Sequence, residues 1–143
     1  MRIGIAVKPR LVEARETLAA LAAWLRERRI EAVWTTEAAT VVDGGDKKVA
    51  DRADIPAAVD VVLVLGGDGT LLSMAKAIAE SGRDVPILAV NFGSLGFLTE
   101  ITRPEIYAAL DAVLNGRARH DLPMMLRTTA TRKTGAPLSH MAL

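Results

Sequence analysis

The glycine-rich segment Gly66–Thr70 (GGDGT) has residue types and spacing suited to chemistry on phosphates. It follows the apolar run Val61–Leu65 and precedes a helical pattern, so its backbone amides and the helix dipole would favour a bound anion. Asp68 places a carboxylate at this position. It can hold a divalent cation that neutralises phosphates, or accept the proton of a hydroxyl that attacks phosphorus. Both roles indicate phosphoryl transfer, in which positioning and charge neutralisation supply most of the catalysis.

Two familiar phosphate-binding motifs do not match this segment. A P-loop requires a lysine after its glycines, and the dinucleotide fingerprint requires a third glycine where this chain has Leu72. Two alternatives follow from the residues alone. Either Asp68 or Thr70 caps the following helix and the glycines only form a tight turn, or the glycines and the helix hold phosphates beside a functional Asp68.

A second Gly-Gly-Asp lies within Asp43–Lys48 (DGGDKK) and serves as a comparison. No buried strand precedes it, and no helical pattern starts directly after it. We therefore predict a solvent-exposed loop for this copy, and a functional role only for the copy that begins at Gly66.

Another segment with regularly placed glycines, Asn91–Glu100 (NFGSLGFLTE), follows the next predicted buried strand. The carboxyl ends of parallel strands meet at one sheet edge, so this segment is expected beside the first motif. Asn91 would hydrogen-bond a ribose or base, and Phe97 would stack on an adenine ring. Gly93 and Gly96 would let a ligand approach the backbone closely. The alternative is a loop whose apolar residues fill the core, namely Leu95, Phe97 and Leu98.

The elements that would position both motifs alternate between strand and helix. Apolar runs predict strands at Ile3–Val7, Ile30–Thr36, Val61–Leu65 and Val85–Val90, and helical periodicity predicts helices at Leu11–Arg29, Thr70–Glu80 and Pro104–Asn115. The segment Glu37–Val59 mixes turn residues, charges and short apolar pieces, which predicts a loop with one helical turn. This order predicts an α/β fold with a Rossmann-like, mostly parallel sheet and flanking helices.

The last part of the chain has a different pattern. Residues 121–143 contain a strand that starts near Met124, a Thr-Gly-Ala-Pro turn and the beginning of another apolar strand. We therefore predict an α/β nucleotide-binding domain at residues 1–120 and the opening strands of a truncated β-rich domain at residues 121–143. Because the rest of that second domain would be missing, the chain is expected to fold but to show little catalytic activity.

The composition restricts the kinds of partner. The formal net charge of the 143 residues is +1 and the two signs are interspersed, which favours neither nucleic acid nor a membrane surface. The chain has no cysteine, which excludes disulfides and thiolate metal sites and agrees with a cytoplasmic location. His120 and His140 lie in tail segments, where surface positions outweigh metal or catalytic roles. Small, diffusible substrates are therefore expected.

GGDGT after one apolar strand, followed by NFGSLGFLTE after the next, resembles the N-terminal α/β domain of the NAD kinases over essentially the whole chain. The first motif alone is shared with lipid kinases, whereas the pair indicates NAD kinase. The resemblance implies transfer of the ATP γ-phosphoryl group to the 2′-hydroxyl of the adenosine ribose of NAD, giving NADP. It also implies a divalent cation as cofactor, with Mg²⁺ as the candidate.

The resemblance also implies roles for individual residues. It assigns Asp68 as the base that activates the hydroxyl, and it places Phe97 and Leu98 near the adenosine of NAD. Ser73 stands where some members carry a basic residue, and the metal ligands stay unassigned. For the full-length protein a homo-oligomer is expected. The predicted NAD- and ATP-binding residues are Gly66, Gly67, Asp68, Gly69, Thr70, Asn91, Gly93, Phe97 and Leu98.

Two other functions stay open as alternatives. A lipid kinase of the diacylglycerol or sphingosine type shares the first motif, but it would carry a Gly-Thr-Gly-Asn-Asp type segment that this chain lacks. A non-catalytic nucleotide-binding module would use the same glycines without needing Asp68 as a base.

Overall fold

The computed structural model describes residues 1–42, 46–93, 96–131 and 138–142. Within these ranges the first five strands are β1 (Arg2–Val7), β2 (Glu31–Thr35), β3 (Lys48–Ala50), β4 (Val61–Gly66) and β5 (Ile87–Asn91). They form one parallel sheet with the order β3-β2-β1-β4-β5. The predicted α/β fold with a Rossmann-like, mostly parallel sheet is confirmed.

Helices connect these strands and cover both faces of the sheet. They are α1 (Arg15–Glu27), α2 (Thr36–Val41), α3 (Ile55–Ala58), α4 (Asp68–Ser81) and α5 (Ile106–Leu114), with short 3-10 turns at Val12–Ala14 and Arg103–Glu105. The α4 helix ends at Gly82, whose φ of 68° is the left-handed conformation that glycine adopts at low cost. The predicted helices are therefore present, with ends shifted by a few residues.

Two apolar layers hold the helices against the sheet. On one face, β1, β4 and the end of β5 pack against α1, α2 and α5 through a cluster that includes Ile5, Leu21 and Leu63. On the other face, the alternate residues of the same strands pack against α3 and α4, with Val64 and Met74 in that cluster. Because β1 and β4 are buried on both sides, their sequences are continuously apolar rather than alternating.

The strand order reverses between β1 and β4, and this reversal creates a crevice. The chain proceeds from β1 outward to β2 and β3, but from β4 it proceeds in the opposite direction to β5. The connections that follow β1 and β4 therefore diverge at the carboxyl ends of these strands, which is where open α/β sheets bind ligands. Lys8 follows β1 at this point, and Gly67 follows β4.

The segment Glu37–Val59 was predicted as a loop with one helical turn, and that prediction is wrong. It contains most of α2, the edge strand β3 and the single turn α3. The α2 helix begins at Thr36 because the Thr35 hydroxyl accepts a hydrogen bond from the Ala38 amide (3.3 Å). These elements are three to six residues long, too short for a hydrophobic period to stand out.

An antiparallel ribbon follows the α/β sheet. The two strands that the sequence predicted here are β6 (Leu126–Ala130) and β7 (Leu138–Ala142), and they pair with Leu126 opposite Ala142. The predicted Thr-Gly-Ala-Pro turn between them lies outside the described residues. The division into domains at residues 1–120 and 121–143 stays a prediction.

We expect Leu63→Ala to lower the free energy of unfolding by about 2–5 kcal/mol, because it opens a cavity in a strand buried on both faces. Urea denaturation of the two proteins measures this difference. Leu122→Ala is the control, since this leucine is 82% exposed and its truncation should change stability by less than about 0.5 kcal/mol. Equal effects at the two positions would contradict the described core.

Candidate functional site

The GGDGT segment forms the junction between β4 and α4. Gly66 is the last residue of β4, and Gly67 is the N-cap of α4, with its carbonyl accepting from the Thr70 amide (2.9 Å) and the Leu71 amide (3.2 Å). The helix therefore begins two residues earlier than predicted. The alternative in which Asp68 or Thr70 caps the helix is wrong, because Asp68 is the first helical residue and its side chain is left for another role.

The three glycines of the segment have different surroundings. A Cβ atom on Gly66 would lie 2.9 Å from Thr70 Cβ and 3.2 Å from Lys8 Cβ, so this glycine is needed for packing. A Cβ atom on Gly67 or Gly69 would meet nothing within 4 Å. The backbone of these two residues therefore borders open space, which a ligand is free to approach.

That open space is a cavity of about 480 Å³ at the carboxyl ends of β1 and β4. Two cationic side chains line it, Lys8 from the end of β1 and Arg52 from the connection after β3. The remaining lining residues are Pro9, Glu37, Gly67, Gly69, Thr70 and Ser73. Backbone amides at a helix start, together with two cations, make this cavity favourable for phosphate groups.

Arg52 is fixed within this cavity by three groups. Its guanidinium lies 3.5 Å from Glu37 Oε1, donates to the Val7 carbonyl (3.4 Å) and reaches Ser73 Oγ (3.5 Å). Partial burial acts to raise the pKa of Glu37, but its backbone hydrogen bond and the charge of Arg52 outweigh burial and lower it. The carboxylate thus stays ionised and holds the guanidinium in place.

Lys8, Glu37 and Arg52 were not among the residues that the sequence singled out. Each comes from a different connection, and no motif spacing links them. Only Lys8 could have been predicted, from its position: it follows the first buried strand directly, and residues at the carboxyl ends of such strands lie at the binding edge of the sheet. Arg52 and Glu37 fall in the segment that was predicted as a loop.

The Asp68 side chain is not among the cavity-lining residues and instead binds the turn that follows β5. Its Oδ2 accepts from the Phe97 amide (2.8 Å). Its Oδ1 accepts from the Leu98 amide (3.2 Å), the Thr99 amide (3.1 Å) and the Thr99 hydroxyl (3.0 Å). The Phe97 amide, above all, holds the pKa of the Asp68 carboxyl below its usual range, with help from Thr99 and Leu98 and against partial burial.

The start of the second motif lies beside the first. Asn91 is the β5 residue opposite Gly66 in the parallel register, and the Phe92 amide donates to the Gly66 carbonyl (2.8 Å). The buried Asn91 side chain accepts from the Gly93 amide (2.8 Å) and so shapes its own loop. The structure thus brings the two predicted motifs together. A contact between Asn91 and a ribose or base stays a prediction.

The apolar residues of the second motif do not fill the core. Phe97 is 99% exposed and Leu98 is 41% exposed, so the core-filling alternative is wrong for both. Leu95 lies outside the described residues. The Phe97 ring is fully exposed while its backbone amide binds the Asp68 carboxylate, and such a ring is suited to contact with a flat ligand.

Other candidates of the sequence have no comparable surroundings. His120 and His140 are exposed. Among the described residues, no group of three or more His, Asp or Glu side chains is placed to hold a metal ion. The same part of the chain contains no helix that is long and apolar enough to span a membrane. The predicted exposed loop at Asp43–Lys48 lies partly outside the described residues, and Asp46 is exposed.

Comparison with known proteins points to one family. A family model described as "ATP-NAD kinase N-terminal domain" matches residues 3–118. An NAD kinase from Syntrophotalea carbinolica is 46% identical over 131 residues, which are 92% of this chain and 45% of that protein. One from Geobacter metallireducens is 46% identical over 123 residues, 86% of this chain and 42% of that protein. The chain therefore spans less than half the length of these relatives.

Solved structures support the fold. Yeast NADH kinase complexed with NADH matches with a TM-score of 0.81 at 19% identity, covering 99% of this chain and 46% of that one. An NAD kinase from Archaeoglobus fulgidus in complex with ATP matches with a TM-score of 0.55 at 18% identity, covering 90% of this chain and 41% of that one. At these identities the match concerns the fold alone.

We expect Gly66→Ala to destabilise the chain by about 1–3 kcal/mol, because the added methyl group would press against Thr70 and Lys8. Thermal unfolding measures the effect. Gly69→Ala is the matched control in the same segment, since its methyl group meets open space and alanine favours a helix by up to about 1 kcal/mol. Similar losses in the two variants would contradict the different packing of these glycines.

Proposed function

The chain belongs to the ATP-NAD kinase N-terminal domain family, and on that premise we propose that its protein phosphorylates NAD to NADP with ATP as donor. The observation that carries this proposal is the position of the GGDGT junction. Gly67 and Gly69 of this junction line a cavity with two cations, and Asp68 between them binds the turn that carries the exposed Phe97. One side is suited to a chain of phosphates, and the other to a hydroxyl on a nucleoside.

The donor would occupy the cavity. Lys8 and Arg52 supply positive charge, and the first amides of α4 border the same space at Gly67 and Gly69. Such groups neutralise the charge of the β- and γ-phosphates and hold the γ-phosphorus in one orientation. Glu37 keeps Arg52 in position and leaves the cavity with a net positive charge.

The acceptor would lie on the other side of the junction. The adenine of NAD would rest against Phe97 and Leu98, and its ribose 2′-hydroxyl would meet the Asp68 carboxylate. The 2′-oxygen forms a bond to the γ-phosphorus, and the bond from that phosphorus to the β–γ bridging oxygen breaks. ADP leaves with the bond electrons, and the hydroxyl proton passes to Asp68.

The family implies a divalent cation, and the described residues do not form a cage for one. Mg²⁺ binds commonly through substrate phosphates and water with only one or two carboxylates. We propose that any Mg²⁺ enters with the phosphates of ATP.

The proposed partners are therefore the small molecules ATP and NAD, with no nucleic acid or membrane partner. A net charge of +1 with interspersed signs supports this choice. We further propose a cytoplasmic location, which the absence of cysteine supports, and a homo-oligomer for the full-length protein.

We expect Arg52→Ala to weaken ATP binding to the chain about 10- to 100-fold, since a charged hydrogen-bond donor is lost and Glu37 is left unpaired in the cavity. Calorimetric titration with ATP measures the change. Arg83→Ala is the control, because Arg83 follows the opposite end of α4 and does not line the cavity. Equal affinities of the Arg52→Ala and unmodified chains would contradict the proposed donor side.

In the full-length protein, we expect Asp68→Asn to lower the rate of NADP formation by about 10²- to 10⁴-fold, the usual loss when a general base is removed. ATP affinity should be retained, because Asp68 is not among the cavity-lining residues. Steady-state kinetics combined with ATP titration separate the two effects. Turnover close to that of the unmodified protein would remove Asp68 from its role as base and favour a non-catalytic module.

A further inference from the structure

We infer that Asp68 is also the positioning residue of the turn Gly96–Thr99, so that the acceptor-side carboxylate and the exposed Phe97 are held as one unit. The anchoring itself stands on the contacts within the chain. What the unit is for rests on the proposed function.

The two oxygens of the Asp68 carboxylate accept different numbers of hydrogen bonds from the turn. Oδ1 accepts three hydrogen bonds, from the Leu98 amide, the Thr99 amide and the Thr99 hydroxyl. Oδ2 accepts one, from the Phe97 amide. An ionised carboxylate offers about four acceptor positions, two on each oxygen. Oδ1 already has more donors than its two positions, whereas Oδ2 has one donor and room for another, so Oδ2 is the oxygen that would meet a substrate hydroxyl.

Gly96 makes this close approach possible. A Cβ atom at residue 96 would lie 2.6 Å from Asp68 Cγ and 2.8 Å from Asp68 Oδ2, distances that real Cβ atoms do not adopt. At Gly93, in the same loop, the nearest atom to an added Cβ would be Asn91 Oδ1 at 3.9 Å, which is an ordinary contact. The two glycines of the motif therefore differ: only Gly96 is required by the carboxylate.

The turn depends on these bonds because its apolar side chains contribute little packing. Phe97 is 99% exposed and Leu98 is 41% exposed, whereas Thr99 is fully buried. Exposed side chains make too few packing contacts to hold the backbone that carries them in one position. The backbone of Phe97 is consequently held by the hydrogen bond from its amide to Asp68 Oδ2 and by the buried Thr99 two residues later.

The same bonds affect the chemistry of the carboxylate. The hydrogen bond from the Phe97 amide contributes most to lowering the pKa of the Asp68 carboxyl, so the carboxylate is a weak base that stays ionised. Asp68 joins α4 to the turn Gly96–Thr99. Other charged groups on these two elements are Glu100, which follows the turn, and Lys76, which pairs with Glu80 on α4 (3.8 Å). A weak base of this kind orients the hydroxyl first and takes its proton late, which suits the loose transition state of phosphoryl transfer.

The test uses nuclear magnetic resonance of the 143-residue chain and two variants that keep Asp68. In Gly96→Ala we expect hydrogen exchange at the Phe97 amide to become about tenfold faster or more, the effect of losing one hydrogen bond. The pKa of the Asp68 carboxyl should rise toward its usual value, since the donors that lower it move away. Gly93→Ala is the matched control and should change neither quantity.

Thr99→Val and Thr99→Ser form a second, milder pair. Valine removes one donor to Oδ1 and should raise the pKa of the Asp68 carboxyl, whereas serine keeps the hydroxyl and should restore the lowered value. A Gly96→Ala chain with unchanged Phe97 exchange, or Thr99→Val with an unchanged Asp68 pKa, would overturn the inference. If these measurements agree with it while full-length Asp68→Asn keeps its turnover, the anchor stands and the proposed function fails.

Discussion

The parallel pairing of β1 with β4 is the interaction on which the rest of the molecule depends. Both strands are buried on both faces, and their register runs from Ile3 opposite Val61 to Val7 opposite Leu65. A slip by one residue would turn every side chain of a strand to the wrong apolar layer. The register therefore also fixes the position at which Lys8 lies beside Gly66, and with it the geometry of the crevice.

Most of the sheet and half of the site were predictable because their signals are local. The continuous apolar runs of β1 and β4 have no competing interpretation in a chain of alternating strands and helices. The GGDGT and NFGSLGFLTE segments follow buried strands, and the structure indeed joins them through Asp68 and the 97–99 backbone. The family resemblance, the fold and the meeting of the two motifs were all accessible in this way.

The other half of the site could not be predicted, because it is assembled from distant connections. The role of Arg52 in the cavity depends on its contacts with Glu37, Val7 and Ser73, and no spacing in the sequence connects those residues. Phe97 shows the reverse problem. The sequence left two alternatives for it, contact with an adenine ring or a position in the core, and the general tendency of aromatic residues to be buried favoured the second, whereas the hydrogen bonds of the turn hold its backbone at the surface. Tertiary contacts outweighed composition in both cases.

The GGDGT junction presents different residues to the cavity and to the turn that follows β5. Gly67 and Gly69 border the cavity, while Asp68, between them in sequence, reaches to the turn beyond. In evolutionary terms the proposed donor and acceptor specificities therefore depend on different residues. In the proposed function, substitutions in the exposed residues of the turn would act on the acceptor side, and changes around Arg52 would act on the donor side. On that proposal, a duplicated gene is able to change its acceptor while it keeps its donor chemistry.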